Sequence, residues 1–222
     1  MKLDHIHLLN GTNRLFLQAC VLLFSVFWLI LPSSAAQLKI AAFGDSLFAG
    51  YQIAPEAAYP AQLETALHKS GYDVSIINAA VSGDTAEAGL KRLDWALADG
   101  VDAVLLELGA NDMLRGIDPE RAYQSLAQII EKCQSQHIAI ALFGMRADPA
   151  LGPEYGRAFD DIYARLADRY HIPLYPFFLD GIVSEPNLKL HDGMHPNPSG
   201  VKILVKKTLP FVVTFLNNIK SH

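Results

Sequence analysis

The sequence predicts an α/β fold in which a mostly parallel sheet carries helices on both faces. Three observations predict it. Short unbroken apolar runs recur along the chain, segments with helical spacing separate them, and no repeat, low-complexity tract or Pro/Ser-rich linker divides residues 37 to 222. Apolar runs without in/out alternation suit strands buried on both faces, the normal state of a parallel sheet. Their alternation with helices is the pattern of βαβ units. One domain is the simplest account.

In chain order, the predicted strands are Leu38 to Phe43, Val74 to Ala79, Val101 to Leu108, Ile138 to Met145 and Ile172 to Tyr175. The predicted helices are Tyr59 to Ser70, Ala86 to Leu97, Pro119 to Gln136, Tyr155 to Tyr170, and a last one near Pro198 to Ile219. Asp118-Pro119-Glu120 is a good helix start, with Asp as N-cap and Pro at the first helical position. Cys133, in EKCQSQH, falls late on a polar helix and reads as an unreactive thiol.

A chain of 222 residues that is 51% hydrophobic and 18% charged has enough apolar material for one well-buried domain, which excludes disordered and fibrous classes. A net charge of −5 argues against a nucleic-acid partner. Residues 1–36 differ from the rest: Lys2 and Arg14, then LFLQACVLLFSVFWLILP, then Ser33, Ser34, Ala35 and Ala36. That order is a signal peptide's, with a cut expected before Gln37. The apolar run from Leu15 to Leu31 is at the short edge of a bilayer span, so an uncleaved anchor is the competing reading. Cys20 lacks the hydrophobic stretch a lipidated cysteine needs before it. The expectation is a periplasmic or secreted domain over 37–222, monomeric and without a stable membrane span once cleaved. With only Cys133 left in that domain, it must stand without an internal disulfide.

In such a fold, ligands bind outside the carboxyl ends of the strands. Strand one ends at FGDS, strand two at NAAVSGD and strand three at LELGAND, each with Gly beside polar residues. Ser46 follows strand one directly. Alone it reads as a turn or helix N-cap as readily as a nucleophile, and the nucleophile elbow G-x-S-x-G is only half present because Phe48 replaces the second glycine. A base is available in LHDGMHPNPSG, where Asp192 and His195 are three apart: the carboxylate can accept from one imidazole nitrogen while the other faces a serine. His191 is the local rival, and its side chain should project elsewhere. Oxyanion donors are available in Gly83, whose N–H can approach closely, and Asn111, which carries an amide NH2. Each could also be an ordinary turn residue.

GDSL at 44 to 47, Gly83, GAND at 109 to 112 and DGMH at 192 to 195 occur in the order and approximate spacing of the SGNH (GDSL-type) hydrolases. The chain resembles that family across residues 37 to 215, in particular its bacterial periplasmic branch of thioesterases, lysophospholipases and arylesterases. The resemblance implies a flavodoxin-like three-layer α/β/α sandwich with a five-stranded parallel sheet. It implies Ser46 as nucleophile, His195 as base, Asp192 as its orienter, and the Ser46 N–H, Gly83 N–H and Asn111 amide as oxyanion hole. Asp45 and Asp112 match the same blocks and are expected to brace turns. The loop MRADPALGPEYG departs from close relatives, and Asp148 within it bears on acyl-length preference.

The sequence contains no H-E-x-x-H, no paired cysteines in the mature segment and neither phosphate-binding glycine loop, so no metal and no cofactor are expected. The implied reaction is hydrolysis of carboxylic esters or thioesters through an acyl-enzyme on Ser46, with small aryl esters, acyl thioesters or lysophospholipids as substrates. Deacetylation of a carbohydrate or another small ester is the alternative within this fold, and a non-catalytic acyl-chain binding protein is the alternative outside enzymes.

Overall fold

The computed structural model describes residues 37–98 and 100–220. The expected export segment, residues 1–36, lies outside the described residues. Five strands form the sheet: β1 (Leu38–Gly44), β2 (Val74–Asn78), β3 (Ala103–Glu107), β4 (Ala139–Phe143) and β5 (Leu174–Tyr175). All neighbours pair in parallel, in the order β2-β1-β3-β4-β5. The three inner strands are largely buried: every residue of β3 is buried, as is β1 from Ile40 onward and β4 from Ile140 onward.

Seven α-helices accompany the strands among the described residues: α1 (Ser46–Ala49), α2 (Tyr59–Lys69), α3 (Ala86–Leu97), α4 (Ala110–Leu114), α5 (Pro119–Ser135), α6 (Pro153–Tyr170) and α7 (Pro198–Lys220). Right-handed crossovers dictate their layers. The chain steps one way across the sheet from β1 to β2 and the opposite way from β2 to β3, β4 and β5, so α2 covers one face and α3, α5 and α6 cover the other. The helix contacts agree: α2 packs with α7, α5 with both α3 and α6. This is the three-layer α/β/α sandwich that the sequence predicts.

The reversal of direction falls between β1 and β3, and there the loops leaving the two strands turn to opposite faces and open a crevice at the carboxyl edge. Ser46 leaves β1 and Asn111 leaves β3 on the two sides of that crevice. Helix boundaries differ slightly from those read from sequence. α6 begins at Pro153 rather than Tyr155, because Gly152 turns the chain at φ 83° and Pro153 supplies a pre-set first turn. Cys133 is fully buried in α5, and burial pushes its thiol up to about 12, which keeps it protonated and inert.

Candidate active site

Ser46 is the first residue of α1, and its neighbour Asp45 does the capping: the Asp45 side chain accepts from the Leu47 N–H at 3.0 Å. The serine hydroxyl is therefore not consumed at the helix start. One turn of helix has little stability of its own, and Phe48 anchors it. That ring is fully buried, stacks on Tyr59 at 4.7 Å between centroids, and meets Phe143 and Phe178 edge-on at 5.5 and 5.2 Å. The residue that breaks the G-x-S-x-G pattern thus fixes the serine's platform by packing.

The loop before α7 brings in the base. Leu190 N–H donates to His195 O at 2.8 Å and Gly193, at φ 69°, donates to Leu190 O at 3.0 Å, which folds residues 190–195 into a compact turn. Inside it, Asp192 Oδ1 accepts from the backbone N–H groups of Met194 and His195 at 2.9 and 3.0 Å, and Oδ2 lies 2.7 Å from His195 Nδ1. The Met194 N–H first, and the His195 ring and N–H with it, hold the Asp192 carboxyl down at about 2. An ionised carboxylate only accepts, so Nδ1 carries the ring proton and Nε2 of the neutral ring is an acceptor. Nε2 sits 2.8 Å from Ser46 Oγ. The Tyr51 ring lies 4.4 Å from the imidazole, limiting its rotation. His191 is exposed, as its sequence position suggests.

The three oxyanion candidates lie on adjacent strand ends but differ in state. Among the described residues no acceptor takes the N–H of Ser46 or of Gly83. Gly83 adopts φ 88°, a conformation that disfavours a side chain, and its carbonyl is held by Arg115 Nη2 at 2.7 Å. The Asn111 amide is engaged: Nδ2 donates to Asp45 Oδ2 and to Asp84 O, both at 3.0 Å. It is a positioned donor whose hydrogens face protein acceptors in the unliganded site. Asp112 braces a turn as expected, accepting from Ala86 N–H at 2.8 Å at the start of α3.

Two residues of this region escape the sequence reading. Arg92 of α3 pairs with Asp84 and donates to Ala79 O at 2.6 Å and Gly44 O at 3.1 Å, tying the ends of β1 and β2 to the Gly83 loop. Glu107, the last residue of β3, is fully buried behind Asp45. Burial raises both carboxyls, Asp45 to about 6 and Glu107 well above the usual carboxylate range. The available signal was one acidic residue inside the apolar run VLLELG.

A cavity of about 390 Å³ reaches the turn that carries the base, lined by Asp192, Gly193 and Met194 and by Met113, Leu114, Met145, Phe177, Leu179, Ile182 and Val183, with Arg146, Asp148 and Lys189 among them. Asp148 is partly occupied in the local backbone: its carboxylate accepts from Ala150 N–H at 2.8 Å. Six of the seven exposed large hydrophobics among the described residues, Tyr51, Val81, Leu114, Leu151, Val183 and Met194, lie on segments that follow the strands' carboxyl ends. No cluster of three metal-ligating side chains occurs among the described residues.

A serine hydrogen-bonded to a carboxylate-oriented histidine thus stands at the sheet's switch point. The model of the GDSL-like lipase/acylhydrolase family matches residues 42–203. The chain belongs to this family. An arylesterase of Vibrio mimicus is 38% identical over 174 residues, covering 78% of this chain and 87% of the relative. Thioesterase 1/protease 1/lysophospholipase L1 of Escherichia coli is 37% identical over 186 residues, covering 83% and 87%. Among solved structures, AlinE4, an SGNH-hydrolase family esterase, superposes with a TM-score of 0.70 at 46% identity, covering 82% of this chain and 98% of its own. Like these GDSL-like relatives, the chain is a serine hydrolase built on the sandwich described above.

Proposed function

We propose that the protein is an exported esterase, acting as a monomer, in which Ser46 is the nucleophile, His195 the general base and Asp192 the residue that fixes the imidazole's tautomer. The observation that carries the reading is the unbroken chain from Ser46 Oγ to His195 Nε2 at 2.8 Å and from Nδ1 to Asp192 at 2.7 Å. Ser46 Oγ attacks the acyl carbonyl as Nε2 takes its proton. The alcohol or thiol departs with that proton, leaving the acyl group on Ser46. Water then loses a proton to Nε2, attacks the acyl-enzyme, and the proton returns to Ser46 Oγ as the acid leaves.

The carbonyl oxygen becomes an oxyanion in both steps, and we assign its stabilisation to the N–H groups of Ser46 and Gly83 with the Asn111 amide. Asn111 then exchanges its contact with the Asp84 carbonyl for the oxyanion, so this donor is strengthened when charge develops. Substrates are aryl esters, acyl thioesters or lysophospholipids. Support comes from the names of the Vibrio and Escherichia relatives, from the largely apolar cavity, and from the apolar residues around the crevice, which suit an amphiphilic molecule. Residues 1–36 direct the chain to the periplasm or outside the cell. Among the described residues no helix is long and apolar enough to cross a membrane.

Hydrolysis of a p-nitrophenyl ester series from acetyl to dodecanoyl tests the reading. Acyl chains of intermediate length should be favoured, and Ser46→Ala should lose activity by about 10³-fold or more together with labelling by a fluorophosphonate. Equal rates for the two proteins would refute the assignment of Ser46. A preference confined to acetyl esters of sugars would move the substrate to carbohydrate esters.

A further inference from the structure

The mechanism above leaves Glu107 without a task, yet this residue occupies a costly position. Its side chain is fully buried at the end of β3, paired in register with Gly44 of β1. Its Oε2 accepts the Asp45 N–H at 3.4 Å, and it faces the Asp45 carboxyl, which is also fully buried. Gly44 makes room for it: a Cβ there would stand 2.6 Å from Glu107 O and 2.8 Å from Oε2. Two buried carboxyls facing each other cannot both be ionised, and one proton shared between them relieves the repulsion.

The surrounding donors decide which residue holds that proton. Asp45 receives Leu47 N–H on Oδ1 and Asn111 Nδ2–H on Oδ2, each at 3.0 Å. Glu107 receives only the Asp45 N–H, at 3.4 Å on Oε2, and its Oε1 is buried without a hydrogen-bond partner. The titratable groups facing the pair are Tyr59 from α2, Tyr163 from α6 and His195 from the loop before α7. Both tyrosines are driven upward by burial and stay neutral, while Arg92 beside Gly44 is already paired with Asp84. Of these groups only His195 favours a charged carboxylate, and it acts on Asp45 rather than on Glu107. The cheaper state is Asp45 ionised and Glu107 neutral.

We propose that Glu107 is a positioning residue that works as a neutral acid, donating its carboxyl proton to Asp45 so that Asp45 can cap the Ser46 helix and hold the Asn111 amide. Glu107 touches no substrate. It acts through Asp45 on two candidates of the reacting centre at once, Ser46 and Asn111. The kinetic part of this inference rests on the esterase reading, whereas the protonation part does not.

Two variants of the full chain and one spectrum test it. In Glu107→Gln the amide NH2 can donate to Asp45 as the acid does, and kcat should stay within about threefold of the wild type. Glu107→Leu fills the space without donating, and kcat should fall by about 10-fold or more at nearly constant KM, the loss expected for one hydrogen bond to a charged group. The infrared spectrum of the folded wild type at neutral pH should contain a protonated carboxylic acid band that Glu107→Gln lacks. A Gln variant as slow as the Leu variant, or a Leu variant with unchanged kcat, overturns the positioning role. Should Glu107→Leu not fold, the Gln variant and the infrared band still decide. A wild type without ester hydrolysis refutes the function alone, and the absence of the acid band refutes the neutral acid alone.

Discussion

Gly44 and Asp192 carry the sharpest consequences at the scale of single residues. Gly44 has an ordinary backbone, so its need for glycine comes from the carbonyl and carboxyl of Glu107, which a Cβ would meet at 2.6 and 2.8 Å. Gly44→Ala should cost about 1–3 kcal/mol, the range for overpacking a tight interior, read from urea unfolding. Asp192 is held at about 2 by backbone N–H groups and the imidazole. A carboxylate whose folded value is depressed contributes stability that is complete above its ordinary value of 3.8 and is lost as pH falls through about 2. Asp192→Asn should flatten that acidic part of the stability profile. In the same variant kcat/KM for an aryl ester should drop by about 10²–10⁴-fold, because an amide no longer fixes the tautomer or stabilises the imidazolium.

Among the elements, α1 shows how a segment too short to be stable alone is held in place. Its single turn has Asp45 at one end and the Phe48 aromatic contacts beneath it. Phe48→Ala removes a fully buried ring from that cluster and should cost about 3–5 kcal/mol, measured by chemical denaturation. Activity should fall by more than the fraction of unfolded protein explains, because the platform of Ser46 loosens first. α3 contributes through Arg92, whose guanidinium joins the ends of two strands to Asp84. Its side chain is only 18% exposed, so the pair is largely shielded from salt. Arg92→Leu should destabilise the enzyme and raise protease sensitivity in the loop at Gly83, detectable by limited proteolysis.

For the molecule as a whole, the strand order β2-β1-β3-β4-β5 is the decisive fact. It sets the single reversal between β1 and β3, and the site follows from that reversal. The described domain closes its core over residues 37–220 without a disulfide, with one buried thiol at Cys133. A chain beginning at Gln37 should therefore unfold cooperatively and keep the esterase rate of the full chain, which calorimetry and an ester assay would check.

The sequence by itself determined the layers and the parts of the chemistry. Largely apolar runs mark β1, β3 and β4 because those strands are covered on both faces, and GDSL, Gly83, GAND and DGMH show in one dimension the residue types from which the proposed site is drawn. It could not decide how Ser46 is used, since a capping serine and an available one share the same letters. Tertiary structure decided this by giving the cap to Asp45 and bringing Nε2 of His195 to 2.8 Å. Asn111 and Glu107 were beyond it for a related reason. Where an amide's hydrogens point, and whether a glutamate holds a proton, depend on which groups distant segments place beside them. In β3 the pattern showed only an acidic residue among apolar ones; burial and the nearness of Asp45 made it an acid.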